Sequence, residues 1–209
     1  MKIIILAAGR GSRINTITKK TPKALIKLQN KPLLFYQLKV IKSAGIKEKD
    51  ISLITGYKKN KFKKFKLKTF NNSKWRTTNM IYSLSKANKW LSKYNCIILY
   101  GDILYSSNAI KLLKNCKRKF CILNNKNWHK SWKKRFAKPL EDLESYKVDN
   151  KKFLTEIGKR ENSVKNIKGQ FMGIFKINPL NWKKMKLELN KNNYKMSTTE
   201  LLNFLINNQ

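Results

Sequence analysis

The chain has 209 residues, 41% hydrophobic and 11% aromatic, which suits one domain with a real core and excludes a disordered chain. No apolar run approaches the ~20 residues that span a bilayer, so no membrane partner is expected. The net charge of +37 invites a nucleic-acid reading, but only six of the 48 basic residues are arginine and the lysines are spread over the whole chain. A dedicated nucleic-acid surface concentrates its charge and uses arginine for phosphate and base contacts. Scattered lysine with abundant asparagine reads as a coding bias, so no specific nucleic-acid partner is expected, and a general attraction for small anions is.

Residues 2–8 form an apolar run that reads as a buried parallel strand. It ends in glycine and charge rather than a cleavage site, which excludes a secretory signal and makes a cytoplasmic protein the expectation. The small-residue loop that follows carries Gly9 and Gly11, with Arg10 and Arg13 in or beside it and Lys23 ten residues later. Glycines let a backbone approach a ligand, and successive free N–H groups make an anion-binding concavity. Position 14 is Ile, so the Rossmann fingerprint fails, and no Gly-Lys-Ser/Thr follows, so the P-loop pattern fails too. What remains is a polyphosphate cradle of glycines, arginines and one lysine.

Ala24–Leu28 is expected as a short strand, Asn30–Pro32 as a turn, 33–44 as an amphipathic helix stopped by Gly45, and 50–55 as the next strand, ended by Gly56. The strand–loop–helix–strand order implies an α/β fold with a largely parallel sheet. The lysine-rich run 58–68 reads as a surface helix, and 78–91 as a helix capped by Thr77 or Thr78. Residues 96–100 are a third buried strand, and Gly101-Asp102 follows directly. A carboxylate just past the carboxyl end of such a strand sits where open α/β sheets place ligands, and a phosphate-binding chain needs one to hold Mg²⁺, so Asp102 is the metal candidate. A helix over 107–115 and a strand over 120–123 come next. Residues 144–148 and 153–157 read as a hairpin around Asp149-Asn150, 169–177 as a strand with two glycines, and 180–189 and 198–207 as helices. Three cysteines without a CxxC spacing, together with the single His129, give poor disulfide and metal readings, and Cys96 is expected to be core.

Leu6-Ala7-Ala8-Gly9-x-Gly11-x-Arg13 followed by Pro22-Lys23-Ala24-Leu25 resembles the signature of the sugar nucleotidyltransferase (NTP transferase) family. Ile54–Tyr57, Asn79–Leu84, Leu99–Ile103, Leu154–Gly158, Gly169–Gly173 and Ser197–Leu202 extend the resemblance to the bacterial choline-phosphate cytidylyltransferases and the related phosphonoalcohol enzymes. The resemblance implies a Rossmann-like nucleotidyltransferase fold: a mostly parallel mixed sheet with helices on both faces, a small antiparallel hairpin subdomain, and a single domain over 1–209 with an acceptor-side insertion at about 124–168. It implies Mg²⁺-dependent transfer of CMP from CTP to a phosphorylated amino-alcohol, with pyrophosphate released. A sugar-1-phosphate nucleotidyltransferase using another NTP, or a nucleotide-binding non-enzyme, is the alternative.

Carried over by position, Leu6, Ala7, Ala8, Gly9, Arg10, Gly11, Ser12, Gly56 and Asn79 line the nucleotide, Arg13 grips the β- and γ-phosphates, and Lys23 offsets charge at the α-phosphate. Arg13 and Lys23 are the catalytic pair, and Asp102 holds Mg²⁺. Tyr82, Tyr105, Trp128 and Trp132 are expected to form an aromatic box for an ammonium head group. Glu156 adds a carboxylate, and Gln170, between two glycines, lines the acceptor site. Members of the family continue past the helix at 198–207 into a strand and a Glu-x-Asp segment bearing a second metal ligand, whereas this sequence stops at Gln209, so the C-terminal end of the family fold is expected to be absent. Monomer and homo-oligomer are equally compatible with the sequence.

Overall fold

The fold was obtained as a computed structural model that describes residues 1–133, 145–151, 153–159, 161, 163, 167 and 169–208. β1 (Lys2–Ala7) leads through the glycine loop into a 3-10 turn (Ser12–Ile14) and the one-turn helix α1 (Asn15–Thr18). A second 3-10 turn (Lys23–Leu25) precedes the small ladder of β2 (Lys27–Leu28) and β3 (Lys31–Pro32). Next come α2 (Leu33–Ser43), β4 (Ile51–Thr55), β5 (Lys68–Asn71), α3 (Met80–Ser85), α4 (Asn88–Leu91), β6 (Cys96–Tyr100), α5 (Ser107–Asn115), β7 (Phe120–Asn125) and α6 (Trp128–Lys133). The hairpin β8 (Tyr146–Val148) and β9 (Leu154–Ile157), then β10 (Gln170–Ile177), α7 (Pro179–Lys191) and α8 (Thr198–Asn207), complete the described chain.

Six strands form one sheet in the order β5-β4-β1-β6-β10-β7. β1, β4, β5 and β6 are parallel, and β10 runs antiparallel to both β6 and β7. Strand side chains alternate between faces, and β1 shows the consequence. Ile3, Ile5 and Ala7 join a core with Leu34 and Ile41 of α2 and Ile110 and Leu113 of α5. Ile4 and Leu6 join the opposite core with Ile81, Trp182, Met185, Leu201 and Leu205. Helices therefore cover both faces, as expected for an α/β sheet whose strands are apolar throughout.

Local expectations fail where a side chain finds a distant partner. The helix expected over 78–91 is two helices, and its cap is Asn79, whose Oδ1 accepts from the Tyr82 N–H at 2.9 Å, rather than Thr77 or Thr78. The strand expected over 24–28 is the Lys23–Leu25 turn followed by two paired residues. The lysine-rich run is a 3-10 stretch (Lys59–Phe65) pinned by the buried Phe62. Cys96 is buried core, but Cys116 and Cys121, read as unpaired, are joined as a disulfide across the α5–β7 connection.

One amide of α8 clamps the hairpin in addition to the apolar contact of Ile157 with the α8 leucines. Asn203 Oδ1 accepts from the Ile157 N–H at 2.9 Å, and its Nδ2 donates back to the Ile157 carbonyl at 2.5 Å, as a neighbouring strand would. Asn203→Ala should cost about 1–3 kcal/mol in chemical denaturation and speed hydrogen exchange at Ile157. At the opposite end of the sheet, Lys2 Nζ donates to Asp50 Oδ1 at 2.7 Å, and this bond holds the Asp50 carboxyl below its ordinary value. A depressed carboxyl stabilises the fold above its unfolded-state pKa, and that contribution disappears as pH falls through the folded value. Asp50→Asn should therefore lower stability by about 1 kcal/mol or less at pH 7, and wild type and variant should converge well below pH ~3.9.

Candidate active site

The sheet order places β1 beside β4 on one side and β6 on the other, so the chain reverses direction of travel between β1 and β6. Open α/β sheets bind ligands outside the carboxyl ends of the strands at such a point. Two loops flank it here: Ala8–Ser12 after β1, and Gly101-Asp102 after β6. The Gly101 N–H donates to the Leu6 carbonyl at 3.0 Å, which joins the loops at their base. Lys23 and Asp102 close the rim, with Lys23 Nζ ion-paired to Asp102 Oδ2. Their side chains are 36% and 31% exposed, so both charges remain open to an incoming ligand.

The glycine loop is shaped around this lysine. Gly11 has φ +79°, and a Cβ there would lie 2.9 Å from both Cβ and Cδ of Lys23, so the bare backbone lets the lysine stem lie across the loop. Gly9 is different: it is exposed, and nothing would lie within 4 Å of an added Cβ, so its backbone faces open space. Thr18 Oγ1 donates to the Gly11 and Ile14 carbonyls at 3.1 and 2.8 Å and ties α1 back onto the loop. The Tyr57 hydroxyl bridges the Thr18 and Lys19 carbonyls at 3.0 and 2.6 Å, while the Tyr57 N–H donates to the Ala8 carbonyl at 2.9 Å. Gly56 is enclosed, since a Cβ there would lie 2.7 Å from Cβ of Trp75 and 2.8 Å from the Ala8 carbonyl oxygen.

Leu6 and Ala7, expected to line the nucleotide, are buried strand residues, whereas Gly9, Arg10, Gly11 and Ser12 reach the surface of the crevice. Ala8 is buried beneath it. Arg13 lies in the 3-10 turn, and its side chain is outside the described part of the structure. Asn79, expected to face the nucleoside, serves as a tether: besides capping α3, its Nδ2 donates to the Tyr194 and Met196 carbonyls, each at 2.8 Å. That uses both ends of the amide.

The aromatic box does not assemble. Tyr82 packs edge-on against Tyr194 at 5.5 Å, and the Lys86 ammonium already sits 3.9 Å from its ring centre. That ammonium also lowers the Tyr82 phenol below its ordinary value. Tyr105 lies against the α2–α5 core and donates to the Gly173 carbonyl at 3.0 Å; burial raises its phenol well above the ordinary value. Trp128 is buried in a separate small cluster with Ile167, and Trp132 packs on that cluster. Aromatic type alone could not reveal that these four rings fall into three packing groups, with only Trp128 and Trp132 together. Glu156 is engaged by Lys159 and Lys147, and the Lys159 bond first, then Lys147, holds its carboxyl below the ordinary range. Gln170 is buried at the start of β10, and its flanking glycines make room for the protein's own rings: Cβ atoms on Gly169 and Gly173 would meet Tyr146 and Tyr100 at 2.7 and 2.5 Å.

Three residues the sequence reading passed over support the site. Tyr57 holds the loop as described. Asn72, fully buried, donates to Thr78 Oγ1 and Ser83 Oγ at 3.0 and 2.9 Å and fixes the segment before α3. Gln37 of α2 reaches the Asp102 turn, and its signal was available: it is the polar member of the otherwise apolar buried set Leu34, Gln37, Ile41.

Residues 3–158 match the family model of the MobA-like NTP transferase domain. The chain belongs to that family. This NTP transferase is 39% identical over 186 residues to the CTP:phosphoglutamine cytidylyltransferase of Campylobacter jejuni, a match covering 84% of this chain and 72% of that protein. It is 43% identical over 88 residues to the choline-phosphate cytidylyltransferase of Streptococcus pneumoniae, over 40% of this chain and 38% of that one. Among solved structures, the inositol-1-phosphate CTP transferase from T. maritima superposes with a TM-score of 0.73 at 18% identity, covering 100% of this chain and 82% of that one. The CTP:phosphocholine cytidylyltransferase of Streptococcus pneumoniae superposes with a TM-score of 0.69 at 20% identity, covering 99% and 84%. Both share the fold: a mixed, mostly parallel sheet with helices on its two faces.

The contrast between the two loop glycines is testable in this transferase. Gly11→Ala places a side chain in the left-handed region, at about 1–2 kcal/mol, and pushes the Lys23 stem aside. Nucleotidyl transfer should fall about a hundredfold, the scale of a 1 Å misplacement. Gly9→Ala should leave the denaturation midpoint unchanged.

Proposed function

We propose that this nucleotidyltransferase moves CMP from CTP to a small phosphorylated acceptor and releases pyrophosphate. The observation that carries the proposal is the Lys23–Asp102 pair, which sets one cation and one carboxylate across the crevice beside the glycine loop, with the lysine stem against Gly11. In this reading the N–H groups of the Gly9–Gly11 loop bind the triphosphate. Lys23 moves from Asp102 to the α-phosphate, where it offsets the charge that builds as the acceptor oxygen attacks in line. The new bond joins that oxygen to the α-phosphorus, and the bond to the β-phosphate oxygen breaks. The attacking phosphate is already anionic, so no side chain has to remove a proton.

Among the described residues there is no cluster of three or more His, Cys, Asp and Glu side chains able to hold a metal. Mg²⁺ suits the site nonetheless, because it takes one or two carboxylates and completes its shell with water and substrate phosphates. Asp102 would hold it. Bound there, Mg²⁺ would neutralise triphosphate charge.

For the acceptor, two observations favour a compound of the phosphoglutamine kind over phosphocholine. The phosphoglutamine enzyme matches 84% of this chain, against 40% and 63% for two choline-phosphate enzymes. The aromatic rings that would surround a quaternary ammonium group fall into three packing groups, and one ring is covered by Lys86. A pyrophosphate-release panel tests this, with CTP, UTP, dTTP and GTP each offered phosphoglutamine, phosphocholine, aminoethylphosphonate and sugar 1-phosphates. Turnover is expected with CTP and phosphoglutamine, and turnover only with a sugar 1-phosphate and another NTP would overturn the proposal. Lys23→Ala should lower kcat at least about a hundredfold while thermal melting changes little, since half-exposed ion pairs add little stability.

A further inference from the structure

The buried stripe of α2 runs Leu34, Gln37, Ile41, and Gln37 is 1% exposed. A leucine would fill that stripe, whereas a buried amide is costly where a polar atom goes unbonded, and among the described residues Gln37 Oε1 has no hydrogen-bond partner, so the amide is there for what its Nε2 holds. Gln37 Nε2 donates to the Tyr100 carbonyl at 2.8 Å and to the Ile103 carbonyl at 2.5 Å. These are the residues immediately before Gly101 and immediately after Asp102. From Ile103 to Ser106 the chain forms neither helix nor strand, so the segment carrying the carboxylate has no ladder of its own to hold it. The Gly101 N–H bond to Leu6 ties the turn to β1, and Gln37 ties both of its ends to α2.

We infer that Gln37 is a positioning residue for Asp102: from α2 it sets where the carboxylate stands in the crevice, and through it how well the site takes a divalent cation with CTP. The inference rests on the reading of Asp102 as the metal-holding carboxylate. It adds a residue that touches neither nucleotide nor metal. Satisfying two carbonyls for the sake of the fold is the competing role, and the two roles separate by measurement.

CTP binding is followed by titration calorimetry at graded Mg²⁺, and deuterium uptake at 101–105 is followed in the ligand-free protein. Gln37→Met keeps the size and removes the donors. It should raise the Mg²⁺ concentration for half-maximal CTP binding about tenfold, leave Mg²⁺-free CTP binding unchanged, and increase deuterium uptake at 101–105. Added to Asp102→Asn, it should change CTP binding no further, because residues acting through one group are not additive. If Gln37→Met does not fold, Gln37→Asn, which keeps the amide and shortens its reach, is read the same way. A lower melting temperature with an unmoved Mg²⁺ midpoint, or additive losses in the double variant, would overturn the role of Gln37 alone. Wild-type CTP binding that ignores Mg²⁺ would overturn the Asp102 reading and this inference with it.

Discussion

The contact on which the site depends is one ion pair across one crevice. Lys23 and Asp102 stand 79 residues apart in sequence, one in the 3-10 turn after α1 and the other in the turn after β6, and they meet because β6 lies beside β1 in parallel register. A pair this open contributes little to stability, and the sheet does not need it to close. Its consequence is chemical. Opposite charges held in a solvent-accessible cleft are partners that a polyanion and a cation can each replace, and the chain belongs to a family of NTP transferases.

The rest of the molecule keeps those two charges in place. β1 is buried on both faces, which gives the glycine loop a rigid root. Gly11 yields space to the lysine stem, Thr18 and Tyr57 hold the loop from the far side, and the Gly101 N–H joins the two loops through Leu6. From α2, Gln37 bonds to the turn that carries Asp102. The burial of apolar surface thus ends in a few polar contacts at the sheet edge, where charge has to be placed to within a fraction of an ångström.

The hairpin side follows a different logic. The hairpin is anchored to α8 by Asn203 and laced by Lys147, Lys159, Glu156 and Glu161, so its charged groups are occupied with one another. Tyr146 and Tyr100 fill the spaces left by Gly169 and Gly173. Gly173, at φ +61°, also lies where the β10–β7 register shifts between Phe171 and Phe175, a bulge that favours glycine. Further along the edge strand, a cavity of about 660 Å³ lies between β7, the hairpin and α7.

From the sequence alone the α/β order, the strand that ends in a glycine loop, Lys23, and a carboxylate directly after a buried strand were all readable. Each is a local pattern: an apolar run, a glycine spacing, a side chain at a strand end. The partners of Asn79, Gln37 and the four aromatic residues were not, because those depend on which elements meet. Asn79 finds carbonyls 115 and 117 residues away, Gln37 finds its own 63 and 66 away, and Tyr105 and Trp128 fall into different clusters. A residue's type states what it can bond or bury. Only the packing of the sheet between its helices decided whether that capacity was turned toward the crevice or spent on holding the crevice in shape.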